Sequence, residues 1–170
     1  MRIKKGRSKI GTTPTSVVKS LKCKNISVCC AMSKRGFIYK EINQKPYNGE
    51  SFLGYIGNFF EFINSMNIGP CLVVMDNVPF HKCNSVKEKF IEMGHEIFHL
   101  PPYSPFLNPI ENLFSKWKDF VKRSNCMCES QLMCSMEEGL NTITNEDCEA
   151  WYRNMKGYTR LFQNETVILD

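Results

Sequence analysis

The sequence predicts an α/β fold of layered strands and helices. Three observations point there. Short β-rich runs alternate with segments of helical periodicity. One run, "PCLVVMDN" (70–77), is apolar from Cys71 to Met75 and then ends in an acid. A long amphipathic pattern also emerges from a proline-dense loop, "LPPYSPFLNPIENLFSKWK" (100–118). Strand and helix periods that alternate along a chain build stacked layers around one core. With 170 residues, 42 % of them hydrophobic and 23 % charged, the chain has the size and balance of one globular domain.

Taken in order, "NISVCCAM" (25–32) and "FIYKEI" (37–42) are β-rich runs joined by "SKRG", whose Gly36 suits a hairpin turn. In "NGESFLGYIGNFFEFINSMN" (48–67), Phe52, Ile56, Phe59, Phe60 and Ile63 fall at helical spacing behind an Asn or Ser start signal. The apolar run at 71–75 does not alternate, which predicts a strand buried on both faces. "SVKEKFIEMG" predicts a short helix ended by Gly94, and "HEIFHLPP" a strand stopped by its prolines. The next helix runs from about Pro109 to Arg123. Asn108 is its expected N-cap, Pro109 falls at N1 and Glu111 at N3, close to a capping box. Ile110, Leu113, Phe114, Trp117, Phe120 and Val121 form its apolar face, with Glu111, Ser115, Lys118 and Lys122 as a polar stripe beside it. Two further helices are expected around "ESQLMCSMEEGLNTI" and "NEDCEAWYRNMKGY". The organisation predicted is a basic segment (1–24), a core (25–125) and a helical extension of the same domain (126–170).

Charge and cysteine usage narrow the classes. No apolar run is long enough to span a membrane, and the basic N-terminus has no apolar stretch behind it to make a secretory signal. The nine cysteines are irregularly spaced and form no CxxC pair, which suits reduced thiols inside a cell better than a zinc ribbon or a disulfide framework. Cys126, Cys128, Cys134 and Cys148 are poorly spaced for a metal, and Cys29 and Cys71 read as small core residues. His95 and His99 sit four apart on a strand, too far for one ion. Net charge is +5, and residues 1–40 hold eleven Lys or Arg with no acid. Such an arm points to a polyanion, nucleic acid first, against the plainer reading of a solvated tail. Arg2, Lys4, Lys5, Arg7 and Lys9, with Lys118 and Lys122 on the helix, are the candidate phosphate contacts.

Two acids stand out. Asp76 ends the apolar strand, at the edge where open α/β sheets collect ligands. Glu111 sits in the first turn of a helix delivered by a rigid loop. Each also has a structural reading, as a strand-end acid or a helix cap. Held on separate rigid elements, two carboxylates can share hard cations such as Mg²⁺, which take carboxylate oxygens, water and substrate phosphate. Paired ions of this kind stabilise the attacking and leaving oxygens of a phosphoryl displacement.

"MDNVPFH" (75–81) and "LPPYSPFLNPIENLFSKWK", with 34 residues between Asp76 and Glu111, resemble the core of mariner-type cut-and-paste transposases. Those are DDE superfamily endonucleases with an RNase H-like fold. The likeness extends more loosely through "GRSKIGTTPT" and "KNISVCCAMSKRGFIYKEIN". It implies that Asp76 and Glu111 are the second and third of three acids holding two Mg²⁺ (or Mn²⁺) ions, which cleave and rejoin double-stranded DNA at transposon ends. It further implies a nuclear location and a homodimer. Asn77 and His81 match the family's "DNxxxH", as support for the site loop. The family's first acid lies on the first strand, upstream of a segment like "GRSKIGTTPT", yet no Asp precedes Asp76. The expectation is therefore an RNase H-like mixed sheet flanked by helices and lacking its first, central strand, and a transposase catalytic-domain fragment inactive as it stands. The alternative is a non-catalytic protein, derived from a transposon, that binds nucleic acid or a partner.

Overall fold

The computed structural model describes residues 9–12 and 25–166. Arg2, Lys4, Lys5 and Arg7, and nearly all of the basic segment 1–24, lie outside the described residues. Within them the order is β1 (Ser27–Ser33), β2 (Gly36–Asn43), α1 (Gly49–Ser65), β3 (Leu72–Met75), α2 (Asn84–Glu92), β4 (Glu96–His99), α3 (Ile110–Arg123), α4 (Glu129–Asn141) and α5 (Asn145–Thr166). Short 3-10 turns at Pro79–Lys82 and Pro105–Leu107 lead into α2 and α3.

The hairpin forms as expected, β1 antiparallel to β2, with a register irregularity between Ala31 and Met32. That bulge flips the inward side of β2, so Tyr39 and Ile38 join one core while Phe37 and Ile42 join the other. Gly36 turns the chain at φ 144° and lies against Asn145 at the start of α5, where a Cβ would meet its Oδ1 at 2.7 Å. Helix α1 starts on a reciprocal cap: Ser51 N–H donates to Asn48 Oδ1 at 2.8 Å, and Asn48 N–H donates to Ser51 Oγ at 2.9 Å. Its buried face, Phe52, Tyr55, Ile56, Phe59, Phe60 and Ile63, centres the first core with Met75, Val86 and Phe90. Helix α2 ends as its glycine predicts: Gly94 takes φ 73°, and His95 N–H donates to the Phe90 carbonyl at 2.9 Å.

On the other side of the hairpin, α3 and α4 build a second core from Leu113, Trp117, Met136 and Leu140, with Val28, Cys30 and Met32 of β1 against it. The Trp117 indole N–H donates to the Met136 carbonyl at 2.8 Å, so the largest side chain of that core leaves no polar atom stranded. The hairpin is thus a middle layer between helices.

Strands β3 and β4 pair in parallel, Leu72 with Glu96 through Met75 with His99, as a sheet separate from the hairpin. Here one expectation is corrected. Val73, Met75 and Ile97 face the α1–α2 core, but Leu72 (57 % exposed), Val74 (47 %) and Phe98 (53 %) face outward. Among the described residues the strand is buried on one face only, because α3 and α4 lie over the hairpin and not over the far face of β3–β4. Among the described residues no helix is long and apolar enough to cross a membrane.

Candidate active site

The parallel pairing decides where the chain opens. Leu100 N–H donates to the Met75 carbonyl at 2.9 Å, extending the ladder to the last residue of β3. Both chains leave the sheet at this carboxyl edge, and Asp76 is the first residue past it. From β4 the chain enters the proline loop. Pro101, Pro102 and Pro105 each fix a φ, while Tyr103 takes the left-handed φ of 59° and stands fully exposed. The loop delivers Glu111 to the first turn of α3.

The predicted cap is corrected in detail. Pro109, buried and helical in backbone (φ −58°), is the N-cap, and no side chain caps the helix. Asn108 contributes its carbonyl instead, accepting from Glu111 N–H at 3.1 Å. The Asn112 N–H likewise donates to the Pro109 carbonyl at 3.1 Å, so the first-turn N–H groups find backbone acceptors and the helix start tolerates the missing side-chain cap. The Glu111 carboxylate is consequently not engaged in a capping box.

Asp76 and Glu111 line one cleft of about 520 Å³, together with Asn77, Lys82, Asn108 and the loop from Leu100 to Pro105. Its oxygen donors are hard. The Asn77 side-chain oxygen is buried without a hydrogen-bond partner. The Asp76 side chain is 48 % exposed although its Oδ1 is buried, so Oδ2 carries the open half of the carboxylate. Oδ1 faces His81, whose Nδ1 stands 2.7 Å away, a close ion-pair contact rather than an aligned hydrogen bond. Burial pushes the His81 pKa down, opposed by the Asp76 charge. Two carboxylates and an amide oxygen fit a hard divalent cation on donor chemistry. Among the described residues, however, no three His, Cys, Asp or Glu side chains converge.

Other candidates lie elsewhere. Lys118 and Lys122 are exposed farther along α3, Lys118 over the Phe114 ring (5.5 Å) and Lys122 near Asp119 (4.0 Å). Neither lines the cleft. Lys9 is exposed, its carbonyl closing a turn with Thr12 N–H at 3.0 Å. Lys82 was not singled out from the sequence, although a cation directly after "DNVPFH" was the available signal. Phe52, read only as a core residue, carries the His81 ring at a centroid distance of 4.2 Å.

The fold and cleft define a class: an RNase H-like α/β domain with carboxylates gathered at a sheet edge. The sequence matches the DDE superfamily endonucleases over residues 1–133, and the chain belongs to that family. The fold is that of the Mos1 transposase catalytic domain. A Mos1 paired-end complex with the left transposon end superposes with TM-score 0.72 at 18 % identity, covering 90 % of this chain and 46 % of that one. The Mos1 mariner paired-end complex with Mn gives 0.73 at 18 % identity, covering 91 % and 47 %. The Mos1 catalytic domain with raltegravir and Mg gives 0.64 at 17 % identity, covering 76 % and 67 %. The chain spans about half the length of the first of these. No curated protein matches it.

Proposed function

We propose that the chain is the catalytic-domain portion of a transposase that cuts and rejoins DNA with divalent metal. The observation that carries this is the meeting of Asp76 and Glu111, with 34 residues between them in sequence, in one cleft of a DDE-family fold. Asp76 and Glu111 are the metal ligands, with Asn77 lining the same cleft. Mg²⁺ or Mn²⁺ bound there would polarise a phosphodiester and lower the pKa of the attacking water. Lys82, in the same cleft, is placed to meet the phosphate charge. Asp76 stays fixed at the ladder's end while the proline loop holds Glu111 opposite. Double-stranded transposon ends are the proposed substrate, a homodimer the working form and the nucleus the location, all on family grounds. The packing of α4 against α3 supports reading 126–170 as an extension of the 25–125 core, with 1–24 as a basic arm.

No Asp precedes Asp76, so these 170 residues supply two of the family's three acids. That favours a second reading for the chain by itself, binding nucleic acid without cutting it. The test is nicking of supercoiled plasmid with Mg²⁺ or Mn²⁺, beside DNA binding across a salt series. The expected result is salt-sensitive binding with no nicking. Nicking that Asp76→Asn abolishes would restore the active enzyme, and absence of both activities would remove both readings.

A further inference from the structure

The geometry points to His81 as a positioning residue that orients Asp76, holding Oδ1 so that Oδ2 alone is presented to the metal. This rests on the reading of Asp76 as a metal ligand and adds how that ligand is fixed. Five contacts of His81 carry it. His81 Nδ1 lies 2.7 Å from Asp76 Oδ1 and 3.5 Å from the carbonyl oxygen of the same residue. The Nδ1–H tautomer is the one that lets this nitrogen donate toward either oxygen. The ring has little freedom to leave. It lies over Phe52 at 4.2 Å (33° between planes) and meets the edge of Phe80 at 4.5 Å (82°). Its own backbone N–H donates to the Val78 carbonyl at 3.0 Å, within the 3-10 turn that follows Asp76.

The chain of support therefore runs from the α1 core, through Phe52, to the His81 ring and on to one oxygen of the carboxylate. An unheld aspartate at a strand end rotates about χ1 and χ2 and offers either oxygen. With Oδ1 buried against the ring, it offers one, at a fixed place. Groups that orient a metal ligand in this way typically alter affinity about 10- to 100-fold when removed.

The experiment is a Mn²⁺ titration of the whole chain, free Mn²⁺ being read by electron paramagnetic resonance, with melting temperatures on the same samples. Asp76→Asn should lose the site. His81→Phe keeps ring area on Phe52 but has no N–H, and should weaken Mn²⁺ binding at least about tenfold. His81→Asn places an amide N–H near the Nδ1 position and should recover most of the affinity. Wild-type affinity in His81→Phe overturns the positioning role. So does a parallel fall in affinity and melting temperature that His81→Asn does not rescue. Equal binding by wild type and Asp76→Asn removes the metal-site reading itself, and the positioning role with it. Independently of any variant, imidazole ¹⁵N shifts of the wild-type chain should show Nδ1 protonated; the opposite tautomer overturns the inference.

Discussion

At the scale of single residues, burial decides which ionisable groups stay neutral. His95 is 6 % exposed, its ring lying 4.3 Å from Phe60 and its Nδ1 accepting the Cys71 N–H at 3.3 Å. Both facts favour the neutral imidazole: a protonated Nδ1 could no longer accept, and burial alone lowers the pKa. The sign follows from linkage. The unfolded chain takes up this proton at about pH 6.5, before the folded chain does. The contribution to stability is thus complete above that pH and is lost as pH falls through the lower folded value. His81, also lowered by burial, adds in the same direction. Urea midpoints measured between pH 8 and pH 5 should fall, and His95→Gln should flatten that slope relative to wild type. A slope unchanged by the substitution would place the pH sensitivity elsewhere. The sequence marked His95 only as half of an implausible metal pair. Its role as acceptor for the start of β3 depends on the strand pairing, which no local pattern reveals.

At the scale of elements, the close approach of α3 and α4 turns on one glycine. A Cβ at Gly139 would stand 2.7 Å from Trp117 Cδ1 and 2.9 Å from Phe120 Cδ1. Trp117 cannot swing aside without losing its bond to the Met136 carbonyl. Gly139→Ala gains about 1 kcal/mol in helix propensity. Against that stands overpacking, about 1–3 kcal/mol, at the upper end where the neighbouring ring is pinned. A net loss of about 1–2 kcal/mol is expected, seen as a lower urea midpoint with unchanged m; a gain would mean that the helices separate freely. What the sequence made legible at this scale was each strand and each α-helix among the described residues, because periodicity and punctuation are local. The hairpin turn at Gly36 and the stop at Gly94 are positions where φ is positive, and glycine announced both. The exposure of Leu72, Val74 and Phe98 was not legible, since an unbroken apolar run does not say how many of its faces have a helix above them. The cap of α3 was misassigned by one residue for a related reason: Asn108 and Pro109 are both good starts, and the proline loop decided between them.

At the scale of the whole molecule, charge is distributed unevenly along the chain. Residues 1–40 carry eleven cations and no acid, whereas residues 126–170 carry eight acids and three cations. The net +5 therefore understates what a polyanion would meet at the N-terminal end. That Asp76 and Glu111 line one cleft was expected from the family resemblance of their two motifs, and strand end, rigid loop and helix start each leave a local mark. Where the arm runs was not legible, for a run of like charge fixes no path. Solution binding can decide whether it touches DNA. Each phosphate neutralised contributes about −0.9 to the slope of log K against log salt on duplex DNA. If Arg2, Lys4, Lys5, Arg7 and Lys9 all make such contacts, replacing the five by Gln should make the slope shallower by about 4 to 5. Replacing Lys118 and Lys122 should reduce it by about 2, since both stand exposed on α3 outside the cleft. Neither change alters the Asp76–Glu111 cleft, so Mn²⁺ affinity should hold in both variants. A slope unmoved by the arm substitutions would make residues 1–9 a solvated tail and shift the proposed DNA surface to α3.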